Sequence, residues 1–165
     1  MDIKNLKILN NPEEVADFLR LPLSISLAAG KDPERPSWAR CLGCRFDASS
    51  LELCLYVSES ASKKLLDDVK THPKLAAVFC LPSTEQTIQI KCTVGRIRPI
   101  GAEERQFIAA ARQAFAAEVA NLGFDAAFTE HYLYAENCVA ITAEASEFYD
   151  QTPGPLAGSI LKVQP

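Results

Sequence analysis

Two adjacent lysines at a predicted helix start are well placed to bind an anion. A strand-like segment ends at Val57 and Ser58, and a helical segment then begins with Ser62, Lys63 and Lys64. The first N–H groups of a helix have no partner within it, and the helix dipole favours negative charge there. Lysines at that end oppose the dipole by about 0.3–1 kcal/mol each, and a bound phosphate would reverse the sign. The segment predicts either a phosphate site or a solvated lysine pair beside a serine N-cap.

Two arginines lie in the otherwise apolar segment 39–46. A guanidinium inside such a strand needs a partner or an exposed position, because its desolvation is unfavourable. Five residues separate Arg40 from Arg45, and a regular strand would place them on opposite faces. Gly43 lies between them and could host a β-bulge that brings both toward one ligand. The alternative is one exposed arginine and one paired with a carboxylate.

The six cysteines are expected to pack as small apolar side chains. Cys41 and Cys44 have CxxC spacing, but a zinc site would need a second pair or nearby histidines, and the chain has only two histidines. Redox CxxC pairs lie at helix starts, whereas this segment resembles a strand. Residues 1–5 lack the apolar core of a secretion signal, so a disulfide framework is not expected. These features predict a cytoplasmic protein.

Five other side chains with possible chemistry have simpler expected roles. His72 precedes a proline at a predicted helix end, where it would cap carbonyls, and His131 is expected on a surface strand. Trp38 is expected in the core, although it could stack on a flat ligand. Glu103 and Glu104 are expected to be solvated, because sequence neighbours diverge on a helix and form no catalytic pair. No Ser-His-Asp, P-loop or zinc signature appears.

Length and composition fit one domain spanning residues 1–165. The sequence is 48% apolar and 23% charged, which is an ordinary globular balance. Its net charge of −4 provides no broad basic surface, so nucleic-acid binding is not expected. No apolar run approaches the ~20 residues that a membrane-spanning helix needs.

The order of elements favours an antiparallel barrel. Predicted strands cover residues 23–27, 38–46, 51–57, 74–81, 87–97 and 138–148, and predicted helices begin at residues 12, 63 and 102. The strands follow one another through tight turns, unlike the regular alternation of a doubly wound parallel sheet. The fifth strand is long enough to coil around a barrel. The prediction is a mainly β fold with flanking helices, a six-stranded antiparallel β-barrel.

This arrangement resembles the FMN-binding split barrel of the pyridoxamine 5′-phosphate oxidase type. The resemblance covers residues 23–97 and is carried by Arg40 with a basic residue five positions on, and by Ser62-Lys63-Lys64 at a helix start. It implies that Arg40 and Lys64 meet the FMN phosphate, and that Lys63 stands where the family often has arginine. Arg45 would then meet the ribityl chain or the ring.

The resemblance also implies further contacts and an assembly. Val57 and Ser58 would contact the flavin. The family often has a glutamine on strand five; Thr87 is in the best register for it here, and Gln89 follows two positions on, on the same face. A homodimer with flavin at the subunit interface is implied, acting on a small-molecule substrate or electron donor. No arginine follows Arg112, whereas the oxidase proper closes over pyridoxal phosphate with an arginine-containing tail. Oxidation of pyridoxamine phosphate is therefore not expected.

Three functions remain open at this point. The first is an FMN-dependent oxidoreductase, in which the flavin does the electron chemistry and the protein binds and orients it. The second is a non-catalytic flavin- or haem-binding carrier or sensor on the same barrel. The third is a dimeric scaffold that has lost its ligand.

Overall fold

Six antiparallel strands close into a barrel in the computed structural model of this chain, which describes residues 9–30, 32 and 35–163. The strands are β1 (Ser24–Ala29), β2 (Ser37–Asp47), β3 (Glu52–Ser58), β4 (Lys74–Cys80), β5 (Thr87–Pro99) and β6 (Cys138–Asp150). Around the barrel their order is β1-β2-β3-β6-β5-β4, with β4 also paired to β1. The predicted fold class is therefore confirmed. The predictions for residues 1–5 and the last two residues of the tail lie outside the described residues.

Strand alternation fills the barrel interior with apolar side chains. On β1, Ile25 and Leu27 are buried, while the serines that alternate with them are half-buried on the outer side. On β5, Ile88 and Ile90 are buried in the same way. The two longest strands, β5 and β6, pair along almost their whole length, with register shifts where β5 bends around the barrel. The interior is the main hydrophobic core of the protein.

A second apolar cluster covers the outside of the barrel. The helices are α1 (Pro12–Leu19), α2 (Lys63–Thr71), α3 (Ala102–Ala120) and α4 (Ala126–Tyr132). Helix α3 buries Ile108, Phe115 and Val119 in this cluster, against Leu42 on β2 and Tyr56 on β3. The outer faces of β2, β3 and β6 are therefore covered by helices, and the side chains there are partly sheltered from water.

Helix α4 was not predicted from the sequence. It begins at Asp125, whose carboxylate accepts a hydrogen bond from the Phe128 N–H at 2.8 Å. His131 lies in its last turn and is exposed, so its predicted place on a surface strand is wrong. His72 is the C-cap residue of α2 as predicted, although the group that bonds the Asp68 carbonyl is its backbone N–H.

None of the four helices in the described part of the chain has the length and apolar content that crossing a bilayer requires.

Candidate functional site

Arg40 is held on the outer surface of the barrel by hydroxyl groups and aromatic rings. Its neighbours Ala39 and Cys41 are buried in the core, so Arg40 points outward from β2. Its Nη1 donates to Ser26 Oγ at 2.8 Å and to Ser24 Oγ at 3.3 Å. We call Arg40, Ser24, Ser26, Trp38 and Tyr132 the Arg40 site.

Two rings lie against the guanidinium of Arg40. Its carbon atom lies 4.0 Å from the centre of the Tyr132 ring and 4.8 Å from that of Trp38. The Tyr132 hydroxyl is 2.7 Å from Ser24 Oγ, which fixes the ring beside the strand. Burial lowers the pKa of Arg40 from its ordinary value. This direction is expected for a positive charge that is kept partly out of water.

Arg40 forms no ion pair with any carboxylate in residues 9–30, 32 or 35–163. Its Nε and Nη2 also donate no hydrogen bond to a described residue, so only Nη1 is used. A guanidinium presents five N–H groups in its own plane, whereas rings approach its faces. The in-plane donors therefore remain available to an anion while the rings hold the group in place.

Sequence reasoning identified Arg40 but missed most of its surroundings. Ser24 and Ser26 alternate with buried residues on β1, and this alternation is a readable signal for outward side chains. Tyr132 had no such signal, because α4 was not predicted. Trp38 is 58% exposed, so its expected place in the core is wrong. It follows buried Ser37 on β2 and lies outside the barrel beside Arg40.

The predicted β-bulge near Gly43 is present. The register between β2 and β3 shifts between Cys41 and Gly43, and both arginines lie on the outer face as a result. Arg45 lies farther along the strand, where its Nη2 is 3.0 Å from Glu103 Oε1 and its guanidinium lies 4.7 Å from the Phe107 ring centre. The two arginines therefore share a face but have separate partners.

The lysine pair at the start of α2 is solvated in this structure. Lys63 and Lys64 are both exposed, and Lys64 Nζ lies 2.9 Å from Asp68 Oδ2 within the same helix. Ser62 occupies the N-cap position and is buried, although its side chain makes no capping hydrogen bond. The arrangement corresponds to the solvated alternative, and a phosphate contact of these residues stays a prediction.

Val57 and Ser58 are enclosed by neighbouring chain. Val57 is fully buried in the barrel and pairs with Cys41 on one side and Val139 on the other. Ser58 Oγ donates to the Glu136 carbonyl at 2.9 Å and is also buried. A ligand at the Arg40 site would meet the end of β3 only if the segment around Glu136 moved.

Gln89 lies on the opposite side of the barrel from Arg40. It is half-buried on β5, between Val78 on β4 and Tyr149 on β6, and its Oε1 accepts from Gln151 Nε2 at 3.3 Å. In the order β1-β2-β3-β6-β5-β4, strand β5 is three steps from β2 in either direction. Arg40 and Gln89 of one chain therefore cannot contact the same flavin.

The CxxC cysteines are core residues. Cys41 and Cys44 are 1% and 7% exposed and lie in the barrel interior. Burial raises the pKa of the Cys41 thiol to about 12, so the reactive thiolate is strongly disfavoured. All six cysteines are free. Within the described residues, no cluster of three or more His, Cys, Asp or Glu could hold a metal.

Glu104 is the one acid whose predicted solvation is clearly wrong. Its side chain is 13% exposed and accepts hydrogen bonds from Arg98 at 2.7 and 2.9 Å and from the Tyr56 hydroxyl at 3.1 Å. It also accepts from the Gly101 N–H at the start of α3. The Arg98 hydrogen bonds, followed by the Gly101 N–H, lower the pKa of Glu104 to about 2. This residue ties α3 to the barrel.

Comparison with known proteins identifies the fold. No protein-family model matches the sequence, and no curated protein matches it. Among solved structures, the chain is similar to an F420 reductase, with a TM-score of 0.51 and 15% identity over 80% of this chain and 93% of that chain. It is similar to General Stress Protein 26 from Bacillus anthracis str. Sterne, with a TM-score of 0.51 and 11% identity over 84% and 91% of the two chains.

A third similar structure is a proposed pyridoxamine 5′-phosphate oxidase from Lactobacillus delbrueckii. Its TM-score is 0.50, with 12% identity over 87% of this chain and 99% of that chain. The protein is therefore a six-stranded barrel with flanking helices of the kind these structures share. The predicted resemblance to the pyridoxamine 5′-phosphate oxidase type is confirmed at the level of the fold.

Proposed function

We propose that this chain is an FMN-binding flavoprotein, an FMN-dependent oxidoreductase whose Arg40 binds the cofactor phosphate. The observation that carries the proposal is the half-buried Arg40 guanidinium, which has hydroxyl and ring partners but no carboxylate among the described residues. Holding a charge partly out of water without a counter-ion is unfavourable, and a phosphate would supply that counter-ion.

The Arg40 site fits the chemical parts of FMN. Ser24 and Ser26 are hydroxyl groups beside the guanidinium, and phosphate oxygens accept from both kinds of donor. Trp38 offers an exposed aromatic surface next to the same charge, suited to a flat ring. Bound flavin would supply the electron transfer, while these side chains bind and orient it. The fold shared with the F420 reductase and the proposed pyridoxamine phosphate oxidase supports this choice.

We further propose a homodimer with the flavin at the subunit interface. The support is geometric: Gln89 can reach a ligand at the Arg40 site only from a second copy, because β5 lies opposite β2. The exposed Trp38 would be covered in such an interface. Light scattering with and without FMN measures the oligomeric state, and a monomer under both conditions would exclude this arrangement. We also propose a cytoplasmic location, which the six free thiols support.

The proposal is tested by titrating the purified protein with FMN and with riboflavin, which lacks the phosphate. Arg40→Ala removes charge-assisted hydrogen bonds worth about 1.5–3 kcal/mol each, so FMN affinity should fall about tenfold to a hundredfold while riboflavin affinity stays the same. Equal losses for both ligands would contradict the phosphate role. Lys70→Ala is the control, because Lys70 is exposed, is paired with Asp67 and lies outside the predicted site.

Two further measurements separate the alternative functions. The visible spectrum distinguishes flavin bands from the Soret band of haem and from a colourless protein. Anaerobic mixing of the FMN-loaded protein with NADH or NADPH then tests turnover, and bleaching of the flavin bands is the expected result. Flavin binding without reduction by any donor would favour the carrier or sensor.

A further inference from the structure

A second basic site lies between α3 and the segment that leads into β6. Here a cavity of about 510 Å³ is lined by two arginines, and no carboxylate is among its lining residues. The lining residues used below are Ile100, Arg105, Ile108, Arg112, Asn137 and Cys138. Both arginines lie on α3, seven residues and therefore two turns apart, which places them on the same face of the helix.

Arg112 has a buried polar atom with no partner. Its Nε is inaccessible to solvent and forms no hydrogen bond, one of only two such side-chain atoms in the described part of the chain. Buried donors are nearly always paired, because an unpaired one loses its water without compensation. The unpaired Nε shows that no described residue neutralises this edge of the guanidinium, and an anion in the cavity would meet the terminal nitrogen atoms of Arg112 instead.

Arg105 adds a second positive charge with little internal compensation. Its Nη1 donates to the Ile100 carbonyl at 3.1 Å, and it has no ion pair with a described carboxylate. The nearby acids are already engaged: Glu104 binds Arg98 and Glu103 binds Arg45. Glu136, which precedes the lining residue Asn137, accepts from the Tyr134 hydroxyl. The two guanidinium groups therefore have no counter-ion in the walls of the cavity.

The rest of the cavity is apolar or weakly polar. Ile100 and Ile108 provide aliphatic surface, and Asn137 provides an amide near the start of β6. The Cys138 thiol is half-buried there; burial raises its pKa, and the positive charge of Arg112 offsets part of that rise. A ligand that fits would combine an oxyanion with a small apolar body.

We propose that this cavity binds a small organic oxyanion, a carboxylate or a phosphate monoester, through Arg105 and Arg112. None of the residues that form the Arg40 site lines this cavity, so it is a second site, separate from the proposed flavin site. The guanidinium fork matches the paired oxygens of both anions, and the aliphatic walls hold the organic part.

The test uses phenyl phosphate and benzoate as probes, phenol as the uncharged analogue and inorganic phosphate as the anion without an apolar body. Calorimetric titration of the full chain should detect one of the two organic anions or both, phenol should not bind, and inorganic phosphate should bind more weakly. Arg112→Gln should weaken binding about tenfold or more. Arg96→Gln, an exposed arginine outside the cavity, is the charge-matched control and should stay within about twofold.

Alkylation of Cys138 by iodoacetamide, followed by peptide mapping, localises the binding. Bound anion should protect Cys138 and leave Cys80, which is outside the cavity, unaffected. If Arg112→Gln fails to fold, Arg105→Gln is measured in the same way and should show the same loss.

Three results would overturn the proposal: no binding of either organic anion, equal binding of phenol, or equal losses in Arg112→Gln and Arg96→Gln. FMN titration of Arg112→Gln separates this site from the proposed flavin site. Unchanged FMN affinity is expected, and a parallel loss of FMN would show that the two are a single site.

Discussion

Arg40 and Arg98 are both partly buried on the outer surface of one barrel, yet their partners differ completely. Arg98 forms two hydrogen bonds to Glu104, at 2.7 and 2.9 Å, and the pair ties the end of β5 to α3. Arg40 contacts two serines and two rings and has no carboxylate among the described residues. The partners of an arginine, rather than its residue type, therefore distinguish a structural arginine from one suited to an external anion.

The largest expected effect comes from removing the counter-ion of Arg98. Glu104→Gln leaves Arg98 partly buried without its partner and should lower the free energy of unfolding by about 2–3 kcal/mol. This loss is smaller than the loss expected on breaking a fully buried ion pair, because the Arg98 side chain is 32% exposed. Urea unfolding at neutral pH measures the change. Arg40→Ala is the comparison variant and should destabilise far less, and similar losses in both would contradict the distinction.

The same pair predicts an acid dependence of stability. The pKa of Glu104 is lowered to about 2 in the folded protein, against about 4.3 for an unfolded chain. Its stabilisation is therefore complete above about pH 5 and is lost as the pH falls toward 2. Urea unfolding across this range should show a shallower decline for Glu104→Gln than for the unmodified protein, and identical slopes would count against the assigned role.

The next effect follows from giving Arg40 the partner it lacks. Ser26→Asp places a carboxylate where a hydroxyl now lies 2.8 Å from Arg40 Nη1. The new ion pair would compete with a phosphate, so FMN affinity should fall about tenfold or more while riboflavin affinity is retained. Ser26→Asn is the uncharged control and should have the smaller effect. Fluorescence titration of both flavins makes the comparison, and unchanged FMN affinity in Ser26→Asp would remove Arg40 from the phosphate site.

A smaller effect is expected at the ring that holds Arg40. Tyr132→Phe removes the hydroxyl that bonds Ser24 but keeps the ring 4.0 Å from the guanidinium. The free energy of unfolding should fall by about 0.5–1.5 kcal/mol, the value of one hydrogen bond. FMN affinity should change little, because the in-plane donors of Arg40 are untouched. Thermal or urea unfolding measures the change in the free energy of unfolding. A loss of stability above the stated range would mean that the hydroxyl has further partners.

The smallest effect is expected at the lysine pair. Lys64→Ala breaks an exposed ion pair with Asp68 within the same helix, and exposed pairs of this kind add little to stability. FMN affinity should change less than about twofold, since an exposed charge is screened by water and salt. A large loss of FMN affinity, with riboflavin unaffected, would instead restore the lysines to the phosphate site.

The barrel could be predicted from the sequence because its signals are local. Alternating apolar residues on β1 and β5, and the turns between consecutive strands, determine which side chains face inward. The bulge at Gly43 was also readable from a glycine between two arginines. These features depend only on residues that are close in the chain.

The surroundings of the candidate site could not be predicted, because they depend on distant residues. Tyr132 reaches Ser24 across 108 positions, and Glu104 reaches Tyr56 across 48. Helix α4 is only seven residues long, and one capping aspartate is a weak signal for so short a helix. Because α4 was not predicted, the expected surroundings of Arg40 lacked the ring of Tyr132.

The closed order of the strands also limits how another chain can approach. Each of the six strands has a hydrogen-bonded neighbour on both sides, but stretches of the longer strands, such as β2 after Cys41 and β5 after Val94, pair on one side alone. Strand addition by a partner, including a second copy, is therefore limited to such short stretches of main chain. Over the rest of the barrel, the residues on the outer faces would decide what docks against this protein.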